Sequence, residues 1–118
     1  MPTTMNSSRK AAVQAFKERK APRGIFAVRC HVTGNVWVDS AMDLEAAENR
    51  TWFFLRNGDT QMDQLVKVEF QIHGREGFTY EILEKLAEDI APMAIRDLLK
   101  EKKVHWLAQL GARKLSTA

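Results

Sequence analysis

The chain has 118 residues, 45% of them hydrophobic and 28% charged, with a formal net charge of +3 and a single cysteine. That length is one domain's worth and suffices for a core without metal, while one cysteine excludes an internal disulfide framework and a cysteine zinc site. No apolar run reaches the roughly 18 residues of a membrane span, and the polar stretch 1–8 lacks the apolar segment of a secretory signal, so a soluble, cytoplasmic domain without membrane contact is expected.

Taken in order, Ser7 or Ser8 is placed to cap a helix to about Lys20, with Val13 and Phe16 on one face. Ala21-Pro22-Arg23 ends it, because the residue before proline is pushed out of the helical region. Gly24 to Val32 alternates: Phe26, Val28, Cys30 and Val32 share one face, and Ile25, Ala27, Arg29 and His31 the other. Thr33-Gly34-Asn35 is a turn, and Val36-Trp37-Val38 completes a hairpin. Ser40 and Asp43 form an S-x-x-D helix start, with Leu44, Ala47, Thr51 and Leu55 on the core face and Asn57-Gly58 as the stop. Trp52, Phe53 and Phe54 are adjacent and must point in different directions. Thr60 is placed to cap a helix to about Ile72, ended by His73-Gly74. Phe78 to Leu83 is a third strand with Phe78, Tyr80 and Ile82 on one side. Pro92 opens a last helix through Ile95, Leu99, Lys102, Trp106 and Leu110, with Gly111 as its stop. The organisation expected is an N-terminal helix over 1–22 packing on the domain, the domain over 23–111, and a flexible tail over 112–118. The fold class is α+β, a small antiparallel sheet of three strands flanked by helices.

Charge is unevenly spread. Residues 1–38 carry seven Lys/Arg against one Glu, residues 39–99 six against thirteen acidic residues, and residues 100–118 five against one. Two basic ends around an acidic middle offer a polyanion-facing patch if the ends meet. Cys30, flanked on its face by Val28 and Val32, reads as a small core hydrophobe. The histidines, His31, His73 and His105, share no ligand spacing.

Gly24-Ile25-Phe26, ten intervening residues, then Trp37-Val38-Asp39 resembles the signature pair of the GIY-YIG nuclease family. The stretch Trp37 to Leu44, the His73-Gly74 helix end, the run Phe78 to Glu84 and Trp106 extend the likeness over about Arg23 to Leu110. The resemblance implies a three-stranded antiparallel sheet with helices, and metal-dependent cleavage of phosphodiester bonds. It also places the chemistry. Phe26 stands where a tyrosine hydroxyl helps activate water, and Trp37 where a second tyrosine positions water or phosphate. Ala47 stands where an arginine balances the phosphate, Lys103 where a glutamate holds the metal, and Asp39 at the closing glycine. The chain resembles the degenerate branch of the family, found alone or beside bacterial regulator-like sequences, with no cofactor expected. Arg50 and Asp39 are the candidate substitutes, Asp39 with Glu48 as a relocated ligand pair. Mg²⁺ or Mn²⁺ enters only if residual endonuclease activity holds.

Two functions follow. One is a non-catalytic module for DNA or RNA, using Arg29, His31, Arg50, Lys100, Lys102 and Lys103. The other is a protein-interaction domain, with a homodimer formed through Trp52, Phe53 and Phe54.

Overall fold

The computed structural model describes residues 21–116. The expected helix over 1–22 lies almost wholly outside those residues, as do five of the seven cations of the basic N-terminal end, whereas the five of the C-terminal end lie within them. Strands β1 (Gly24–Cys30), β2 (Val36–Ala41), β3 (Phe78–Lys85) and β4 (Arg113–Lys114) form one sheet in the order β3-β1-β2-β4. β1 is antiparallel to both neighbours, whereas β2 and β4 run parallel, so the sheet is mixed and four-stranded rather than purely antiparallel with three. The added strand comes from the segment expected as a loose tail. Arg113 and Lys114 pair with Trp37 and Val38, Leu115 is buried, and Met62 and Ser116 form an isolated bridge.

Helices α1 (Leu44–Asn57) and α2 (Gln64–His73) cover one face of the sheet, and α3 (Pro92–Leu110) covers the other. Alternation in β1 explains the three layers. Phe26, Val28 and Cys30 join the core beneath α1 and α2, while Ile25 and Ala27 join Val38, Ile95 and Leu99 beneath α3. Val32 does not continue that face; β1 ends at Cys30, the chain turns, and Val32 is exposed. The hairpin turn is tied to α2 by the buried Glu69, whose carboxylate accepts from Thr33 Oγ1 at 2.6 Å and from Asn35 Nδ2.

Helix starts differ from the expectation by a few residues. Asp43, not Ser40, caps α1, its Oδ1 accepting from the backbone N–H of Glu45 and Ala46 at 3.1 Å each. Ser40 belongs to β2, which runs on to Ala41. α2 begins after Asp63 rather than Thr60, because residues 59–62 form a turn closed by Met62 N–H donating to the Asp59 carbonyl. Both expected stops at Gly58 and Gly111 are left-handed caps. Leu44, Ala47, Thr51 and Leu55 are all buried.

Gly24 has a steric role. A Cβ there would lie 1.9 Å from the Glu84 carbonyl oxygen, beside the irregularity in the β1–β3 register at Ile25/Phe26.

Candidate functional site

Three of the positions singled out by the motif, Phe26, Asp39 and Ala47, converge on a cavity of about 160 Å³ between β1, β2, α1 and the C-terminal segment. Phe26, Asp39, Ser40, Ala47, Arg50 and Leu115 are among its walls. Phe26 stacks on Tyr80 with ring centroids 5.0 Å apart. Tyr80 brings a phenol to the neighbourhood, but its hydroxyl donates to the Leu44 carbonyl at 2.6 Å. Burial, with Glu48 adding to it, pushes the phenol's pKa above its ordinary value and favours the neutral hydroxyl.

Asp39 is the one carboxylate in the cavity wall. Its Oδ1 accepts from the Ser40 N–H at 2.8 Å and stands 3.6 Å from Lys103 Nζ. Burial raises its pKa, and the Ser40 N–H, Lys103 and Arg50 offset part of that rise. β4 pairs only with Trp37 and Val38, so the edge of β2 is free of it at Asp39. Lys103 meets the carboxylate there from α3, on the opposite layer.

Trp37 does not line the cavity. It is fully buried against Phe78, and its indole N–H donates to Asp63 Oδ2 at 2.9 Å. Arg113 closes on the same carboxylate with Nε and Nη2 at 3.1 and 3.2 Å. Burial pushes the Asp63 pKa up, but the Arg113 and Trp37 donors outweigh it and hold the group below its ordinary value.

The cationic candidates separate into two groups. Arg50 and Lys103 both act on Asp39. Arg29 is held elsewhere by Glu81, at 3.1 and 3.4 Å, and Lys102 is paired with Glu84, which also accepts from Trp106 Nε1 at 3.0 Å. His31 and Lys100 are exposed and line none of the cavities described here.

A divalent ion takes about six oxygen ligands and favours carboxylates. The cavity offers one carboxylate, already facing an ammonium group, and no three His, Cys, Asp or Glu side chains converge among the described residues. These residues do not fit a Mg²⁺ or Mn²⁺ cage, and no step through a metal is derived from them.

Against known structures, the catalytic domain of the homing endonuclease I-TevI matches with a TM-score of 0.63 and 28% identity, over 75% of this chain and 88% of that one. A point mutant of the same intron endonuclease domain matches with a TM-score of 0.67 and 25% identity, over 82% of this chain and 94% of that one. The fold is GIY-YIG-like. Neither a protein-family profile nor a curated relative matches the sequence. Within the GIY-YIG-like fold, the first triplet of the motif reaches the cleft through Phe26, whereas the second reaches it through Asp39 and not through Trp37.

Sequence reasoning missed several wall residues. Thr51, Gln61, Met62, Leu115 and Ser116 also line the cavity. Thr51 was readable, since it stands one turn beyond Ala47 on α1. The others arrive through the 59–62 turn and the β4 segment, which no periodicity marks. The aromatic triplet resolves unequally: Trp52 is buried, Phe54 packs on the core, and Phe53 alone is 54% exposed. Two of the three rings expected at a dimer surface are therefore turned inward.

Proposed function

We propose that this chain is a nucleic-acid-binding domain on a nuclease fold, gripping phosphate with Arg50 and Lys103 in place of a metal. The observation that carries this reading is the Lys103–Asp39 approach at the cavity wall beside Arg50. Two cations against one carboxylate leave the cleft with a surplus positive charge. The likeness to an endonuclease catalytic domain supports a phosphodiester ligand. In this reading the catalytic parts are gone. Phe26 has no hydroxyl, the Trp37 N–H is spent on Asp63, Ala47 carries no charge, and Lys103 repels a cation. Loss of one transition-state stabiliser costs about 3–4 kcal/mol, and the losses are not additive.

Binding to duplex DNA should be weak, tolerant of sequence and steeply salt-dependent. Anisotropy titrations at two salt concentrations test it, with Lys103→Ala expected to weaken binding and flatten the salt slope. No binding at low salt ends the proposal. The alternative is a residual metal-dependent endonuclease using Arg50 and Asp39. Nicking of supercoiled plasmid with Mg²⁺ or Mn²⁺, abolished by Arg50→Ala, would favour that alternative.

A further inference from the structure

A second and larger concavity, about 660 Å³, lies on the far side of Arg50 between α1, α2 and the 3₁₀ turn Arg75–Gly77. Its lining is Asn49, Arg50, Trp52, Phe53, Arg56, Phe70 and Arg75, three guanidinium groups and no carboxylate. The floor is aromatic. Trp52 stacks with Phe70, centroids 6.5 Å apart, and carries the Arg75 guanidinium 3.8 Å over its ring. Arg75 is fixed in that position by Nη1 donating to the Phe78 carbonyl at 2.8 Å. Trp52 is only 8% exposed, yet its indole Nε1 is buried with no hydrogen-bond partner among the described residues. Buried donors are nearly always paired, so this orphaned N–H marks an incompletely satisfied wall beside the groove. Phe53 adds an exposed ring at the groove, and Arg56 an exposed charge.

We propose that this groove binds unpaired nucleotides of a nucleic-acid strand, their phosphates on Arg50 and Arg56 and a base on the Phe53 ring. The proposal rests on the nucleic-acid reading above and specifies which form of the polymer is taken. Guanidinium groups match phosphate oxygens, and free aromatic rings accept bases only when those bases are unstacked. The groove volume suits a ligand of nucleotide size. Arg50 is shared by groove and cleft, so a strand lying in the groove brings a phosphate to the edge of the cleft. Residues 1–20 of the chain are a poor alternative occupant, since they carry five Lys/Arg against one Glu and would be repelled by the three arginines.

The test is anisotropy of the full chain with a labelled oligothymidylate and with a blunt duplex, for wild type, Phe53→Ala, Arg56→Ala and Lys103→Ala. Phe53 and Arg56 are exposed, and circular dichroism checks that each variant folds. Base–aromatic stacking is worth about 1–3 kcal/mol, so Phe53→Ala should weaken the single strand about tenfold and leave the duplex unchanged. Arg56→Ala should lower the single-strand salt slope by about 0.7. If Phe53→Ala and Arg56→Ala change nothing while Lys103→Ala weakens the duplex, the groove proposal falls and the cleft reading stands. If neither polymer binds at low salt, both fall. A wild-type dimer that Phe53→Ala converts to monomer, with single-strand affinity unchanged, overturns the groove proposal in favour of a second copy of the chain.

Discussion

Lys103 Nζ and Asp39 Oδ1 stand 3.6 Å apart, joining α3 to the strand that carries the second half of the motif. Both side chains are about one-fifth exposed, so the pair is partly desolvated and neither charge is fully solvated alone. This contact links α3 to β2 at Asp39 and leaves Arg50 as the cavity-wall cation outside the pair.

Removing the ammonium should show as a pH-dependent loss of stability. Asp39 has a raised pKa in the folded chain because burial outweighs its donors. Such a group's contribution is present in acid, below the unfolded value, and is lost as pH rises through the folded value. Lys103→Met deletes one of the offsetting charges and raises the folded value further. The variant should be about 1–2 kcal/mol less stable than wild type at neutral pH, with the gap closing in acid as Asp39 protonates. Urea denaturation at pH 7 and pH 4 reads it directly, and an equal deficit at both would refute the assignment.

Asp63 titrates in the opposite sense. Its pKa is held below the ordinary value, so its contribution is present above the unfolded value and lost as pH falls through the folded one. Asp63→Ala also strands the buried Trp37 N–H and frees Arg113, costing about 2–3 kcal/mol at neutral pH. Asp63→Asn keeps an acceptor for Trp37 and should cost about half as much. The Asp63→Asn midpoint should approach wild type in acid, while Asp63→Ala keeps the part of its deficit that comes from the stranded indole N–H. A deficit independent of pH would remove Asp63 from the acid response.

Tyr80 separates structure from chemistry. Its hydroxyl serves the Leu44 carbonyl at the start of α1, and Tyr80→Phe should cost about 1 kcal/mol. Affinity for DNA should not change. A binding defect larger than the stability loss, in a variant folded at the assay temperature, would give the phenol a direct role in the cleft.

The sequence was legible where local chemistry decides structure. Asn57-Gly58 and Gly111 end helices because a left-handed residue is needed there. The core face of α1 follows from the spacing of Leu44, Ala47, Thr51 and Leu55. Legibility failed where distant segments decide. The motif position of Trp37 points to the cleft, but its ring packs in the core against Phe78, and Asp63, 26 residues on, satisfies its N–H there. β1 is buried on both faces, so alternation could assign Ile25 and Phe26 to opposite sides without revealing which side holds the cleft. The arginine groove draws on α1, α2 and the turn after α2, and no single stretch of sequence displays it.

The C-terminal segment offers the most direct check on the observed topology. Leu115 is 2% exposed, donates its N–H to the Val38 carbonyl at 3.2 Å, and accepts from the Asp63 N–H at 2.8 Å. It also forms part of the cleft wall. Lys114, its neighbour, is exposed. If this segment is a strand on the edge of β2, Leu115→Ala empties a packed site and should cost about 2–5 kcal/mol, while Lys114→Ala stays within about 0.5 kcal/mol of wild type. Amide exchange should show the Leu115 N–H protected together with β2. Were the segment a free tail, both substitutions would be silent and that amide would exchange at the unprotected rate.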